Sequence, residues 1–478
     1  MRRKADAAQR SLSTGRPPSI PAGGIEAIRS SLKGQVCLKG EPGYDDARTI
    51  WNAMIDRSPG VVIRCTDAAD VMGAVRFANA HDLDIAIRGG GHNIAGNAVC
   101  EGGMLIDLTP MKSVRVDQGA KRAFVGPGCT LGDVDRETQA FGLAVPTGIN
   151  STTGIAGLTL GGGFGWLTRP FGMTVDNLVG ADVVTAEGEL VRASEMENPD
   201  LFWALRGGGG NFGIVTSFEF KLHKLGPEVF SGLIVHPFED AGTLLKQYRK
   251  IADEAPDELT IWTVMRKAPP LPFVPAEWHG REVFIFAAFY AGSNADGEKA
   301  TKPLRALGRP IVDVLGPHPF VGWQSAFDPL LTPGARNYWK THDFATLPDG
   351  AIDAITGAVS NLPGPECEVF IAHVGGAMAR VAKDKTAYPY RDAHFIMNVH
   401  TRWRDSAEDG KCQAWARDLY KATEPFATGS AYVNFMPEDD SGRIGEVYGD
   451  NYRRLVEVKR RWDPKNRFHI NHNINPAG

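Results

Sequence analysis

Glycine is concentrated in one stretch of this chain, and that stretch limits what the chain can fold into. The sequence has 478 residues and 55 glycines, and 26 of those glycines lie between Gly89 and Gly213. Apolar residues are interleaved throughout and no triplet period is present, which excludes collagen and a low-complexity linker. Such a stretch in an otherwise ordinary composition indicates backbone packed closely against a large flat or phosphorylated ligand.

Composition and charge exclude several classes of partner. The chain is 43% hydrophobic and 23% charged, which is enough to build a substantial core. The net charge of −4 gives no electrostatic reason to expect nucleic acid or an anionic membrane as a partner. No apolar run reaches the about 18 residues needed to span a bilayer. We therefore expect neither a nucleic-acid nor a membrane partner.

The ends of the chain and its cysteines predict the compartment. Met1 to Lys4 is basic but no apolar region follows, so no secretory signal is evident and we expect a cytoplasmic location. Six cysteines stand far apart without a CxxC pair, which argues against zinc and against a disulfide framework. No metal site is expected.

The first part of the chain alternates short strands and helices. Val61–Cys65 and Ile85–Arg88 are predicted strands around a helix at Val71–His81, which Thr66 or Asp67 caps, so we expect a parallel pair with a right-handed crossover. Thr130 and Asp133 resemble a capping box that opens a second helix, which runs to Phe141. Further predicted strands are Met104–Asp107, Val114–Val116, Arg122–Val125, Ala181–Thr185, Glu189–Val191 and Ile214–Leu222.

Composition changes after Pro227, where glycine becomes less frequent and elements become longer. The pattern predicts a second α+β domain. Its predicted strands are Leu259–Met265, Val283–Tyr290, Val369–His373 and Phe395–Val399, and its predicted helices are Ala241–Asp253, Ala351–Asn361 and Ala407–Tyr420. After Glu424 we expect a strand at Ser430–Asn434 and a helix at Gly445–Trp462.

Four clusters in the glycine-rich stretch have features of a binding site. They are Arg88–Asn93, Pro146–Gly165, Phe171–Asn177 and Ala204–Val215. Three glycines followed by a histidine form an anion-binding turn, and a triple glycine among small residues suits the wall beside a planar ring. Neither a GxGxxG signature nor a P-loop is present. Each cluster alone also fits a ligand-free turn, whereas the four together indicate one large ligand with phosphates and a ring system.

The motifs of these clusters resemble a known family. RGGGHN at 88–93, TLGGGFGWL at 159–167 and WALRGGGGNFGIVTSFEFKL at 203–222 are similar to the flavin-linked oxidases related to berberine bridge enzyme, in the vanillyl-alcohol-oxidase superfamily. Five further segments support this resemblance: LIDLTPMKSV at 105–114, Tyr388–Arg391, Tyr432-Val-Asn434, Trp462–Phe468 and Asn471–Asn473. The resemblance covers residues from about 45 to 476.

The resemblance implies an α+β fold of two domains. A PCMH-type FAD-binding domain at 21–225 would be followed by a substrate domain at 226–424, with an antiparallel sheet covered by helices. Residues 425–478 would return to the FAD-binding domain, and residues 1–20 would form a flexible tail.

The implied cofactor is FAD. In the family the histidine after the glycine triplet is bonded to the 8α-methyl of the flavin, and here it is His92. Many relatives add a bond from a cysteine, whose place Asn150 takes, so a single covalent link is expected. The predicted cofactor-binding residues are Arg88, Gly89, Gly90, Gly91, His92, Asn93, Thr147, Gly148, Asn150, Gly154, Gly157, Gly161, Gly162, Gly163, Phe164, Gly165, Asp176, Asn177, Gly213, Val215, Asn434, Asn471 and Asn473.

The resemblance also implies a reaction. The family removes hydride from a C–H next to oxygen or nitrogen, and the position of Tyr432 makes it the candidate catalytic base. A phenol acts as a base only when a positive neighbour or strong hydrogen-bond donors stabilise its phenolate. The candidates for such a neighbour are His373, His400 and Arg402. Tyr432 also fits a core tyrosine bonded to backbone.

The electron acceptor and the substrate stay open. Thr153 stands where the family controls oxygen access to the flavin, so molecular oxygen or another acceptor fits. An oxidase of a small alcohol, sugar, phenol or secondary metabolite is the leading hypothesis, and a dehydrogenase or a non-catalytic flavin-binding protein are alternatives. Six aromatic residues are candidate substrate contacts or core residues: Trp262, Tyr290, Trp323, Tyr338, Trp339 and Trp403.

Overall fold

The amino-terminal sheet of the computed structural model has three buried parallel strands and one short antiparallel edge strand, the first in the chain. The structure describes residues 21–478, so the tail predicted at 1–20 lies outside the described residues. The strands are β1 (Gln35–Cys37), β2 (Val61–Arg64), β3 (Ile85–Arg88) and β4 (Met104–Asp107), with helices α1 (Ala22–Ser31), α2 (Tyr44–Arg48) and α3 (Ala68–Ala80). The Asp67 carboxylate caps α3 by accepting the Asp70 N–H, as the sequence predicts.

The expected pairing of β2 with β3 is wrong. The strand order is β1-β2-β4-β3, so β2 and β3 are each parallel to β4 and do not contact each other as neighbours. All four residues of β4 are buried, which suits a central strand and explains why this one separates the other two.

A second sheet is antiparallel. Its part of the chain contains β5 (Val114–Asp117), β6 (Arg122–Val125), β7 (Leu143–Ala144), β8 (Leu178–Val184), β9 (Leu190–Ser194), β10 (Ile214–Lys221) and β11 (His223–Lys224), and the helices α4 (Leu131–Gln139), α5 (Ile155–Leu160), α6 (Thr168–Phe171) and α7 (Pro199–Leu205). The sheet order is β5-β6-β10-β8-β9. The capping box of Thr130 and Asp133 is present at α4, which ends two residues before the predicted Phe141.

The third sheet is large and antiparallel, as predicted. It contains β12 (Glu228–Pro237), β13 (Leu259–Lys267), β14 (Glu282–Tyr290), β15 (Val312–Asp313), β16 (Gly316–Pro319), β17 (Arg336–Phe344), β18 (Glu368–His373) and β19 (Phe395–Trp403). Its order is β15-β12-β14-β13-β18-β19-β17, with β16 also paired to β12. The helices of this part are α8 (Ala241–Glu254), α9 (Asn294–Arg305), α10 (Phe320–Gln324), α11 (Asp349–Val359) and α12 (Asp409–Thr423).

Helices α8, α11 and α12 cover one face of the third sheet. Leu244, Ile352 and Leu419 of these helices pack in one core with Phe286 and Met397 of the sheet. Since this face is sealed by apolar contacts, the opposite face is the one that can contribute to a site.

The carboxy-terminal segment departs from the sequence prediction in two places. Residues 430–434 are not a strand. The Tyr432 hydroxyl accepts from the Gly163 amide, Asn434 donates to the Leu158 carbonyl in α5, and the chain makes a 3₁₀ turn at Val433–Phe435. The predicted helix 445–462 is two helices, α13 (Ile444–Tyr448) and α14 (Tyr452–Trp462). They separate at Gly449, whose φ of +48° lies in the left-handed region.

The carboxy-terminal segment packs on the amino-terminal part of the protein. Val447, Leu455 and Ile474 share a core with Phe212 and Phe218 of the amino-terminal part. The domain boundaries at 225 and 424 stay a prediction. No helix among residues 21–478 is long and apolar enough to cross a membrane.

Candidate active site

A cavity of about 880 Å³ lies between the glycine loops and the uncovered face of the third sheet. It brings together residues that the sequence places more than 300 positions apart, from β3 to the end of the chain. The predicted site residues that line it are Gly89, Gly90, Gly91, His92, Asn93, Gly148, Asn150, Thr153, Gly154, Gly157, Gly161, Phe164, Gly213, Val215, Tyr432, Asn434 and Asn471.

The other predicted cofactor-binding residues do not line the cavity: Arg88, Thr147, Gly162, Gly163, Gly165, Asp176, Asn177 and Asn473. Several of them hold neighbouring backbone in place instead. Arg88 donates to the carbonyls of Asp46 and Ala47, and Gly163 N donates to Tyr432. These contacts place them behind the cavity wall.

The Phe171–Asn177 turn lies outside the cavity because its polar residues bond elsewhere. Asp176 forms a buried ion pair with Arg391 at 2.8 Å. Asn177 donates to the carbonyls of Phe171 and Met173 and contacts His223 at 2.6 Å. With these partners satisfied inside the protein, the predicted cofactor contact of Asp176 and Asn177 has no geometric support and stays a prediction.

Glycine is required where the loops meet. A Cβ added at Gly90 would lie 2.3 Å from the Gly154 amide nitrogen, and a Cβ at Gly154 would lie equally close to the Gly90 nitrogen. Any side chain at either position would force the two loops apart. Gly157 and Gly210 line the cavity with nothing within 4 Å of an added Cβ, so their lack of a side chain leaves room for a ligand.

His92 follows β3 and is fixed by a ring and a hydroxyl. Its imidazole stacks on Trp51 with centroids 5.1 Å apart, and its Nε2 lies 3.2 Å from Thr152 Oγ1. Asn150 Oδ1 accepts from both the Thr152 amide and the Thr152 hydroxyl, at 3.1 and 2.7 Å. The hydroxyl proton is thereby committed to Asn150, so His92 Nε2 must donate, and Nδ1 keeps its lone pair.

Burial keeps the His92 ring neutral. Removal from water lowers the pKa of His92 to about 4, because the charged imidazolium loses solvation there. At neutral pH the side chain is therefore an uncharged imidazole with a free nitrogen lone pair at Nδ1.

The hydroxyl of Tyr432 accepts two hydrogen bonds. Its Oη accepts from the Gly163 amide and from Asn434 Nδ2, each at 2.9 Å. Burial raises the pKa of Tyr432 to about 12, although these two donors favour the phenolate and oppose the rise. Phe164 and Phe435 pack edge-on against the ring at centroid distances of 4.8 and 4.9 Å.

Of the three side chains considered as helpers of Tyr432, His400 alone lines the cavity. His373 faces away from it and contacts Arg169 at 2.8 Å, since β18 turns Glu368 and Phe370 to the cavity and odd-numbered residues to the other face. Arg402 pairs with Glu366 at 2.9 Å and lies over the Trp51 ring.

A polar row on the third sheet was missed by sequence reasoning except for His400 and Trp339. Strand register places Arg266, Glu368, His400 and Trp339 side by side on β13, β18, β19 and β17. Arg266 Nη1 lies 2.7 Å from Glu368 Oε2, and His400 Nδ1 lies 3.2 Å from Glu368 Oε1. The sequence signal that could have revealed Arg266 and Glu368 is a charged residue within a mostly apolar predicted strand.

The charges of this row stabilise one another. Burial opposes the ionised form of Glu368, but Arg266 and His400 outweigh burial and lower the pKa of Glu368 to about 2. Burial also lowers the pKa of His400. The row is thus an Arg–Glu ion pair beside a neutral imidazole.

The candidate aromatic contacts divide into two groups. Trp262, Trp323 and Trp339 line the cavity. Tyr290, Tyr338 and Trp403 do not line it and belong to the packing of the third sheet with its helices. Several residues that line the cavity have buried polar side-chain atoms without a partner within residues 21–478, among them Asn471 Oδ1, His472 Nε2, the Asn398 amide and Trp339 Nε1.

Known proteins share both the sequence and this architecture. A family described as FAD binding domain matches residues 59–194, and one described as berberine and berberine like matches residues 431–475. An FAD-linked oxidoreductase of Dictyostelium discoideum is 31% identical over 459 residues, which cover 95% of this chain and 97% of the relative.

Solved structures agree with the fold. The crystal structure of 6-hydroxy-D-nicotine oxidase from Arthrobacter nicotinovorans superimposes with a TM-score of 0.84 at 30% identity, over 93% of this chain and 98% of that one. Xylooligosaccharide oxidase from Myceliophthora thermophila C1 superimposes with a TM-score of 0.83 at 23% identity, over 96% of this chain and 100% of that one.

The fold and the cavity define a flavin-dependent oxidoreductase. The chain belongs to the FAD-linked oxidoreductases related to berberine bridge enzyme, which confirms the predicted family, the α+β fold and FAD as the cofactor.

Proposed function

We propose that this protein is an FAD-linked oxidase that removes a hydride from a C–H next to oxygen or nitrogen of a small organic substrate. One observation carries the proposal. A single cavity reaches from the glycine loops and His92 to Tyr432 and the polar row of the third sheet. A cofactor held by the loops and a substrate held by the sheet would therefore meet in one enclosed space.

The cavity has features that fit FAD. Gly157 and Gly210 leave open space along its wall, and Asn471 and His472, which also line it, each have a buried polar side-chain atom without a partner in residues 21–478. The backbone of Gly89–Gly91 and Gly209–Gly210 would hold the diphosphate, and Asn434 and Asn471 would face the polar edge of the ring. When bound, FAD supplies a two-electron acceptor for the hydride.

We assign the covalent link to His92 alone. A neutral ring with a free lone pair at Nδ1 is the state in which an imidazole bonds to carbon. Burial favours the neutral ring, and the hydrogen bonds from Asn150 through Thr152 to His92 favour the tautomer with the lone pair at Nδ1. The six cysteines are buried and free, and none lines the cavity in residues 21–478. A second link through sulfur therefore has no donor.

Tyr432 is assigned the catalytic role. Both of its hydrogen bonds are accepted ones, so its own proton has no acceptor among the described residues. The same two donors would stabilise a phenolate once the tyrosine loses that proton. Only the phenolate can act as the base, and the Gly163 and Asn434 donors favour it against the burial that raises the pKa of Tyr432 to about 12. In that form the side chain would accept the hydroxyl or amine proton of a substrate, and His400 lines the same cavity.

Molecular oxygen is proposed as the final electron acceptor, with hydrogen peroxide as product. Thr153 lines the cavity within the loop that contacts Gly90, so its side chain can control access to the flavin from this side. The competing hypothesis is a dehydrogenase that passes electrons to another acceptor. Stopped-flow reoxidation separates the two, because slow recovery of the flavin absorbance in air refutes the oxidase.

The substrate class is a small alcohol, sugar, phenol, amine or secondary metabolite. The two solved relatives are named for 6-hydroxy-D-nicotine and for xylooligosaccharides, which are chemically very different. The test is anaerobic mixing with compounds of each class while the flavin absorbance is recorded. Bleaching by one class supports the proposal, and absence of bleaching with every class favours a non-catalytic flavin-binding protein.

A further inference from the structure

The sheet face that lines the cavity is divided into a polar and an apolar half. Register aligns Val235, Ile285, Val264, Phe370 and Asn398 in one row across β12, β14, β13, β18 and β19. The charged row that contains Arg266 and Glu368 runs beside it. Polar or charged side chains line the cavity from β13, β18, β19 and β17, and His318 does so from β16, whereas the cavity-lining side chains of β12 and β14 are hydrocarbon.

A loop closes the apolar half into a chamber. Residues 268–274, between β13 and β14, extend over the strands, and Val274 packs in one cluster with Val235 and Ile285. We call this space the apolar chamber and define it by Leu233, Val235, Val264, Leu271, Val274 and Ile285, all of which line the cavity.

The rim of the chamber is apolar as well. Phe273 lines the cavity and is nevertheless 40% exposed. Its ring therefore belongs both to the cavity lining and to the protein surface, where a ligand that occupies the apolar space can contact it.

We propose, building on the proposed function, that the substrate is amphipathic. Its oxidisable C–H and hydroxyl or amine would lie by Tyr432, and a hydrocarbon or aromatic portion would fill the apolar chamber. Saccharides are excluded from this role, because each hydroxyl buried against Leu233, Val235 or Ile285 would lose its hydrogen bonds to water without a replacement.

Binding of unreactive compounds tests the chamber without turnover. The probes are 4-alkylbenzamides from methyl to butyl, titrated calorimetrically into the FAD-loaded protein, with cellobiose for comparison. Each added methylene is expected to tighten binding about fourfold until the chamber is full. Equal affinity along the series, or tighter binding of cellobiose than of the butyl compound, would overturn the inference.

A nearly isosteric variant locates the effect. Val264→Thr exchanges a methyl for a hydroxyl inside the chamber, and we expect about fivefold weaker binding of the butyl compound with little change for the methyl compound. Val191→Thr is the matched control, because Val191 is a half-buried strand residue outside the cavity. The same loss in both variants would contradict the chamber.

A second variant, at the exposed rim of the chamber, separates a loss of binding from a loss of folding. Phe273→Ser changes an exposed side chain and should weaken the butyl compound, whereas Phe141→Ser, at a similarly exposed position outside the cavity, should not. The corresponding 4-alkylbenzyl alcohols and amines then test turnover. If binding depends on chain length but no compound reduces the flavin, the proposed function is refuted and the apolar chamber is supported. If sugars reduce the flavin and binding does not depend on chain length, the proposed function is supported and the apolar chamber is refuted.

Discussion

At the scale of single residues, the site depends on side chains whose protonation is set by burial and by neutral hydrogen bonds. His92 stays neutral because burial lowers its pKa to about 4 and outweighs the hydrogen bond to Thr152, which acts in the opposite direction. The contact with the Thr152 hydroxyl sets the tautomer, since Nε2 donates there. Tyr432 receives two donors and no cation. Both residues are thus prepared by glycine loops, through backbone amides and short polar side chains.

Replacement of His92 by alanine tests the covalent link. We expect His92→Ala to release all flavin on acid precipitation, because the single link is assigned to the imidazole that follows the Gly89–Gly91 turn. Fluorescence of the denatured polypeptide after electrophoresis measures it. Cys129→Ser is the control and should retain the flavin. Flavin that stays bound in His92→Ala would contradict the single link.

Replacement of Tyr432 by phenylalanine tests the base. Loss of the hydroxyl should slow anaerobic flavin reduction about 10² to 10⁴-fold, the usual range for a general base, while the FAD content stays normal. An unchanged reduction rate would leave Tyr432 a core tyrosine.

At the scale of elements, the third sheet brings charged groups together by register. Arg266, Glu368 and His400 lie on three strands, and only the pairing of those strands makes them neighbours. Removal of one partner from such a buried pair leaves the other charge unpaired.

We therefore expect Glu368→Gln to lower the free energy of unfolding by about 3–5 kcal/mol, measured by denaturant titration. Asp392→Asn, in the exposed pair with Lys383, should change it by less than about 1 kcal/mol. A small effect of Glu368→Gln would mean that the ion pair is solvated.

The same residue predicts a pH dependence. The pKa of Glu368 is lowered to about 2, so its contribution to stability is complete above about pH 4.5 and is lost as the pH falls toward 2. Between pH 2 and about pH 4.5, the melting temperature should therefore depend less steeply on pH in Glu368→Gln than in the wild type. Parallel profiles of the two proteins would contradict this assignment.

Local patterns predicted most elements, while pairing and long-range contacts did not follow from them. The capping residues Asp67 and Thr130 act through neighbours three positions away, so the sequence alone reveals them. The position of β4 between β2 and β3, and the turn at Tyr432, depend on partners far along the chain. For the same reason Arg266 and Glu368 were overlooked, because their role exists only across paired strands.

At the scale of the whole molecule, the site requires the glycine loops and the third sheet to keep one relative position. Asn52 joins them, since its Nδ2 donates to the carbonyls of Ile94 and Asn337, and its Oδ1 accepts the Asn337 amide. Gln324 adds a second link, donating to Asp135, Thr147 and Gly148.

Asn52→Ala should therefore lower the free energy of unfolding by about 2–4 kcal/mol, because it breaks three buried hydrogen bonds and leaves their backbone partners unsatisfied. Denaturant titration measures the loss. Asn361→Ala, at an exposed position, is the control and should be close to neutral. Equal stability of the two variants would show that Asn52 does not join the two parts.

The most direct test of the account is the fate of the flavin absorbance through one anaerobic cycle. The FAD-loaded protein is mixed with the alkylbenzyl alcohols and amines and with sugars, and air is then admitted. We predict that an apolar alcohol or amine bleaches the flavin, and that air restores it with formation of hydrogen peroxide. A flavin that stays oxidised with every compound would contradict the proposed oxidase.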